Sequence, residues 1–411
     1  MAMRCKRWPD TQSKKDYFMK YIPYGRQEIT QSDKDSVMSV LESDFITQGP
    51  EVERFETSVA SYCHAQHAVA VNSATSALHL GCLALGVGQG DLVWTSPITF
   101  VASANCARLC GADVDFVDVD PRTYNLCAEA LEEKLLLALK FGQRIPNVVI
   151  AVHFAGQSCD MRQINKLANE YDFRVIEDAS HAIGARYLNN PVGNCEYSDI
   201  CVFSFHPVKI ITSAEGGLAL CNDQKLYEKM KLCRTHGVAK LSARFSLVDE
   251  PWRYEQHILG LNYRLTDIQA ALGTSQLQRL DAYVERRHEL ARKYDQMLSA
   301  TGLTLPYQSE DSFSAFHLYP VLAGYAGDGG AGRRALYHAM VEQNLGVNVH
   351  YIPVHTQPYY QALGHQPGDF PQAEAYYERT LSIPLFGSMT DEEQDRVIDC
   401  IFRFQSVAKS A

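Results

Sequence analysis

The chain has no uninterrupted apolar run of about 18 residues or more, so the sequence offers no membrane-spanning helix. It has no C-x-x-C pair either. Its 12 cysteines are scattered, most of them inside apolar runs, and read as small buried hydrophobes, not as metal ligands or disulfide partners. No metal site is expected. Basic residues are too few to form a stripe. The 38 Lys and Arg against 48 Asp and Glu give a net charge of −10, which argues against a nucleic-acid binder. An anionic small ligand stays open, because helix N-termini can capture an anion on an acidic protein. Repeats and low-complexity tracts are missing. The glycine run Gly86-Val87-Gly88-Gln89-Gly90 ends a helix and precedes a strand, the reverse of what a dinucleotide turn needs. The opening M-A-M-R-C-K-R-W-P lacks the apolar centre of a secretion signal. Residues 1–20 therefore read as a loose extension, and the expected compartment is the cytoplasm.

What is present is ordinary globular composition, 46% hydrophobic and 21% charged over 411 residues, with room for about two domains. Short apolar strands are expected at Ala68–Val71, Leu92–Thr95, Val114–Val117, Val148–His153, Val175–Glu177, Ile200–Phe205 and Leu218–Cys221. Helical stretches alternate with them at Ala74–Leu85, Phe100–Leu109, Glu129–Leu139, Met161–Glu170 and Gln224–Arg234. Such alternation means βαβ units and an α/β fold around a mostly parallel sheet buried on both faces. Upstream, helices are expected from Gln31 to Ser43, capped by Ser32, and from Val52 to Tyr62, separated by the break Thr47-Gln48-Gly49-Pro50. A long helical region, Thr266 to Leu298, leads into a smaller α+β unit. That unit holds strands at His317–Leu322 and Val347–Ile352 and a helix at Arg333–Asn344. The expected division is 21–278 for the large domain and 279–411 for the small one. The loop from Ala239 to Glu255 has no assigned role.

Chemistry-bearing residues cluster at the strand ends. Lys209 follows the strand Ile200–Phe205 and sits among Val208, Ile210 and Ile211. Burial disfavours an ammonium, so such a lysine can serve as an amine nucleophile. A lysine whose stem lies on apolar surface while its head reaches water is an equal alternative from this stretch alone. Asn72-Ser73-Ala74-Thr75-Ser76 carries a strand into a helix start, where free N–H groups suit a phosphate, or where a serine merely caps the helix. Asp178 ends another strand, where open α/β sheets bind their ligands. Phe100 offers an aromatic face in the turn Pro97–Phe100. Together these parts suit a pyridoxal-phosphate site: amine, ring-nitrogen acid, aromatic plate and phosphate seat.

The segments S-A-T-S-A-L-H-L, V-I-E-D-A-S-H-A, F-S-F-H-P-V-K-I-I-T-S-A-E-G-G and L-G-L-N-Y-R-L-T-D-I-Q-A-A-L-G resemble the nucleotide-sugar aminotransferases of the DegT/DnrJ/EryC type. The likeness covers nearly everything after Tyr21. It implies an aspartate-aminotransferase-type (fold type I) large domain and a smaller C-terminal domain. It also implies pyridoxal 5′-phosphate bound covalently to Lys209 as an internal aldimine, with Asp178 on the ring nitrogen. On the same basis His181 would lie near the phenolic oxygen of the ring, and Phe100 would stack on it. Ala74, Thr75 and Ser204 would hold the phosphate. Asn262 and Arg264 would reach the phosphate of a neighbouring subunit, implying a homodimer with shared sites. Tyr24, Arg26, Gln48, Gly49, His350, Tyr351 and His355 would flank the sugar nucleotide. The segments V-W-T-S-P-I-T-F-V-A-S-A-N-C, V-H-F-A-G-Q-S-C-D-M, V-N-V-H-Y-I-P-V-H and P-W-R-Y-E-Q resemble the branch of that family in pseudaminic acid biosynthesis. They imply amination at carbon 4 of a UDP-linked 4-keto-6-deoxy-N-acetylhexosamine, with L-glutamate as donor. The related sugar dehydratases carry histidine where this chain has Lys209.

Overall fold

The computed structural model describes residues 20–240, 252–325 and 327–408. The expected N-terminal extension lies, but for Lys20, outside the described residues, as do positions 241–251 of the unassigned loop. The flanks of that loop pair with each other, Val238–Lys240 running antiparallel to Tyr254–Gln256.

Seven strands form the central sheet, in the spatial order His67–Val71, Gly217–Cys221, Ile200–Ser204, Arg174–Asp178, Val148–Val152, Leu92–Thr95 and Asp113–Phe116. Gly217–Cys221 pairs antiparallel with both its neighbours, while every other pairing in the sheet is parallel. One strand therefore runs against six. The strands are apolar because both sheet faces are covered: Ile176, Ile200 and Val202 pack into one hydrophobic cluster, and Cys201, Phe203, Leu218 and Leu220 into another. This is the α/β architecture that the alternating pattern predicts.

A third cluster gathers Leu290, Tyr294 and Leu298 of the helix Leu280–Leu298 with Tyr319, Val321, Leu381 and Ile383. The last four lie on Tyr319–Leu322 and Thr380–Ile383, an antiparallel pair. The same helix sends Leu280 and Val284 into a cluster on the large sheet, so it bridges the two cores.

Several local expectations change. The helical region Thr266 to Leu298 is two helices, Asp267–Leu277 and Leu280–Leu298. No strand occupies Val347–Ile352. Only Asn348 bridges to Ser382, because the side chains here turn toward the cleft and toward Ser382 instead of lying on a sheet. The cap of Gln31–Leu41 is Thr30, not Ser32, because Asp33 reaches back to accept the Thr30 N–H at 2.8 Å. The helix Pro50–Cys63 begins inside the expected break. Asp267 caps its start, accepting from Gly49 N–H at 2.8 Å and Glu51 N–H at 2.9 Å.

Asp33 ties the helix Gln31–Leu41 to residues 275–279. It accepts from Ser275 Oγ at 2.7 Å, Gln276 Nε2 at 2.8 Å and Arg279 Nη2 at 2.7 and 2.8 Å, and it is fully buried. Burial alone would raise its pKa, but the Arg279 guanidinium and the Thr30 N–H reverse this and hold the carboxyl below its ordinary value. Asp33→Asn should cost about 3 kcal/mol in denaturant unfolding, since it strands a guanidinium. A lowered folded pKa means stability that is present above the unfolded value and lost in acid. The gap between wild type and variant should hold constant above about pH 5 and shrink below about pH 4.

Candidate active site

A cavity of about 570 Å³ opens where the parallel strands end. The antiparallel strand begins at the same edge, so Asn72, Asp178, Ser204 and Gly217 all come to one rim. At one end lies the N-terminus of the helix Ala74–Leu85. Ser73 caps it, its Oγ accepting the Ser76 N–H at 3.2 Å, and the Ser76 hydroxyl donates to Asn72 Oδ1 at 2.7 Å. The first-turn N–H groups of Ala74 and Thr75 have no intrahelical acceptor, and both residues line the cavity. Gly217 makes this possible. A Cβ there would stand 2.3 Å from the Ser73 carbonyl carbon and 2.4 Å from Ala74 N, so any side chain would push the helix start away.

Asp178 ends its strand buried. Its Oδ2 accepts the Ser103 hydroxyl at 2.6 Å and its Oδ1 the Ser180 N–H at 3.1 Å. Ser103 Oγ in turn lies 2.6 Å from Thr99 Oγ1, which donates to it. Lys209 sits in the turn between Ile200–Ser204 and Gly217–Cys221, its own N–H bonded to His206 O at 2.9 Å. Burial drives its ammonium down to about 8, against the opposing pull of Asp178.

The histidines around it are neutral. Burial pushes His181 and His317 well below the ordinary imidazole value, helped by the Lys209 charge, and takes His350 to about 3. The His317 ring lies 4.4 Å from that of His181. Behind it, buried Arg287 donates from Nη1 to the carbonyls of Phe316 at 3.0 Å, His317 at 3.2 Å and Leu385 at 3.1 Å. Arg287 has no carboxylate partner among the described residues, and burial lowers its pKa to about 10. Across the cleft, His350 Nδ1 lies 2.9 Å from Ser382 Oγ and its Nε2 3.3 Å from Asn348 Nδ2. Phe100 stands at the mouth, 61% exposed, with its ring 6.4 Å from that of Tyr351.

An amine of depressed proton affinity, a buried carboxylate and a helix-start anion seat on one rim coincide with a family match over most of the chain. The model of the DegT/DnrJ/EryC1/StrS aminotransferase family matches residues 27–402. The chain belongs to this family. It is a pyridoxal-phosphate-dependent sugar aminotransferase. The spore coat polysaccharide biosynthesis protein SpsC of Bacillus subtilis is 38% identical over 384 residues, 93% of this chain and 96% of that protein. The UDP-4-amino-4,6-dideoxy-N-acetyl-beta-L-altrosamine transaminase of Campylobacter jejuni is 36% identical over 382 residues, again 93% and 96%. The structure of Helicobacter pylori PseC, an aminotransferase involved in the biosynthesis of pseudoaminic acid, aligns with a TM-score of 0.85 at 30% identity. It covers 94% of this chain and 100% of that one.

The residues of this aminotransferase fit its cofactor. Free helix N–H groups suit a phosphate, one weakly basic amine suits an aldehyde, and one buried carboxylate suits a ring N–H. Lys209, Asp178, His181, Phe100, Ala74, Thr75, Ser204, Tyr24, His350 and Tyr351 all line the one cavity. Other sequence candidates lie elsewhere. The Arg26 guanidinium rests 5.2 Å over the Phe386 ring. His355 is buried beside Phe370, its Nε2 2.9 Å from Glu374. Gln48, Gly49 and Arg264 line a second cavity of about 320 Å³ with Lys231 and Arg234, and Asn262 bridges to Thr235. The first cavity, with Lys209, also holds His317, Asn348, Ser180 and Glu215, which sequence reasoning missed. Asn348 could have been found two residues before His350, whereas His317 begins an apolar strand and carries no signal.

Because burial takes the Lys209 ammonium down to about 8, trapping the free amine of the cofactor-free protein with an aldehyde and borohydride should rise to half its maximum near that pH, read by peptide mass mapping. In Asp178→Asn the midpoint should move lower, since the anion favouring the ammonium is gone.

Proposed function

We propose that this aminotransferase moves the amino group of L-glutamate to carbon 4 of a UDP-linked 4-keto-6-deoxy-N-acetylhexosamine, in pseudaminic acid biosynthesis in the cytoplasm. The observation that carries the reading is the likeness to the Campylobacter jejuni transaminase and to Helicobacter pylori PseC, over more than nine-tenths of the chain. When bound, pyridoxal phosphate supplies an electron-withdrawing ring that stabilises negative charge on the carbon next to the transferred nitrogen. Lys209 is the amine that anchors it and the base that moves a proton at that carbon. Asp178 keeps the ring nitrogen protonated, and the N–H groups of Ala74 and Thr75 hold the phosphate. Tyr24, Asn348 and His350 form the wall for the sugar. The active unit is a homodimer, with Asn262 and Arg264 reaching the neighbour's phosphate. Neither lines this chain's own cleft, which supports that assignment.

A second reading, amination of another nucleotide-linked keto sugar, is favoured by the 38% identity to the spore coat polysaccharide protein. The altro-configured 4-keto sugar and its gluco-configured 5-epimer, each offered with glutamate, separate the two. Product and 2-oxoglutarate should form from the first, while equal or reversed preference supports the second reading. Lys209→Ala should lower turnover by about a thousandfold or more with the fold intact by circular dichroism. Mixing Lys209→Ala with Asn262→Ala chains should restore one site per hybrid dimer. No recovery after confirmed subunit exchange would mean self-contained sites.

A further inference from the structure

Two hydrogen bonds on the cavity floor determine where one proton points. Ala155 donates its N–H to His181 Nδ1 at 3.3 Å, so Nδ1 is the bare nitrogen of this neutral ring and Nε2 carries the hydrogen. Nε2 lies 3.0 Å from the Tyr351 hydroxyl and donates to it. The tyrosine oxygen is therefore an acceptor on that side, and its own O–H must point elsewhere. Tyr351 lines the same cavity as Lys209, and its hydroxyl has no acceptor among the described residues.

The backbone is shaped to hold this arrangement. Ala155 adopts φ 57° and Gly156 φ 106°. A Cβ on Gly156 would stand 2.9 Å from Phe316 N, 3.0 Å from His317 N and 3.1 Å from His181 O, so the turn that aims the Ala155 N–H is open only to glycine. The His181 ring is held by that of His317 at 4.4 Å and that of Phe154 at 6.2 Å.

We propose that Tyr351 donates a hydrogen bond from its hydroxyl to the carbonyl oxygen of the keto sugar, and that His181 is the positioning residue that aims it. As an amine adds to a carbonyl, the C–N bond forms while the C=O π pair moves onto the oxygen, so negative charge grows there. The oxygen then takes up the two protons the nitrogen loses and leaves as water. A donor already oriented and desolvated stabilises that charge without reorganising. The phenol gives up no proton in this step and need only stay protonated, and burial with the nearby Asp178 charge raises its pKa and keeps it so. This assignment deepens the reading of the cavity as the place where a keto sugar is aminated, and rests on it.

The test is Tyr351→Phe in the holoenzyme. The rate of the sugar half-reaction should fall about a hundredfold, the scale expected when one such donor is removed. Cofactor content, read by absorbance, should be unchanged. By calorimetry, the affinity for a UDP-sugar with a hydroxyl at carbon 4 should stay within about threefold, because that ligand develops no charge on oxygen. His181→Ala should lose much of the same rate, and the double variant should be no slower than Tyr351→Phe alone, as for residues acting as one unit. Loss of cofactor, a loss confined to KM, or additive effects in the double variant would each overturn the assignment. If wild type aminates no keto sugar, the reading of the site fails. If wild type is active and Tyr351→Phe matches it, only this inference fails.

Discussion

A carboxylate held out of water governs the cleft. Asp178 is placed by the sheet register, opposite Val152 on one side and Val202 on the other, so its position is as rigid as the ladder itself. Its Oδ2 accepts a Ser103 hydroxyl and its Oδ1 a Ser180 N–H, which fixes the carboxylate and leaves acceptor sites for a ring N–H. Lys209 feels two opposed influences, burial that discharges it and the carboxylate that would keep it charged. Burial wins, and the amine falls to about 8. Burial and Asp178 thus set the basicity of the amine between them.

The neutral imidazoles extend this logic. His181, His317 and His350 surround the lysine, and each would repel it if protonated. Burial keeps them uncharged, and the Lys209 charge reinforces that state. The cleft can therefore place several hydrogen-bonding nitrogens near one amine without accumulating positive charge. The helix start beside them contributes N–H groups as oriented dipoles and no titratable proton.

Legibility from sequence followed burial. The strands of the central sheet are covered on both faces and so appear as apolar runs that no surface pattern obscures. The stretch V-N-V-H-Y-I alternates like a strand, yet Asn348 and His350 spend their polar groups on each other and on Ser382, and only one bridge forms. Thr380–Ile383, four residues between a helix and Pro384, is too short to stand out. In the site, Lys209, Asp178 and the Ala74–Thr75 helix start were readable because they stand at strand ends, where chain order alone brings them together. His317 and Arg287 were not. One opens an apolar run. The other lies in a helix segment so rich in charge that it reads as a solvated face, although Arg287 is 2% exposed.

Arg287 also bears on how the molecule comes apart. Its guanidinium has traded hydration for the dipoles of three carbonyls, two at Phe316–His317 and one at Leu385, while its own backbone belongs to the long helix that bridges two cores. None of these three stretches can peel away by itself without leaving a buried cation short of acceptors. They must loosen together or not at all, which makes the bridging helix, the floor of the cleft and the Leu385 turn one cooperative unit in local opening and in hydrogen exchange.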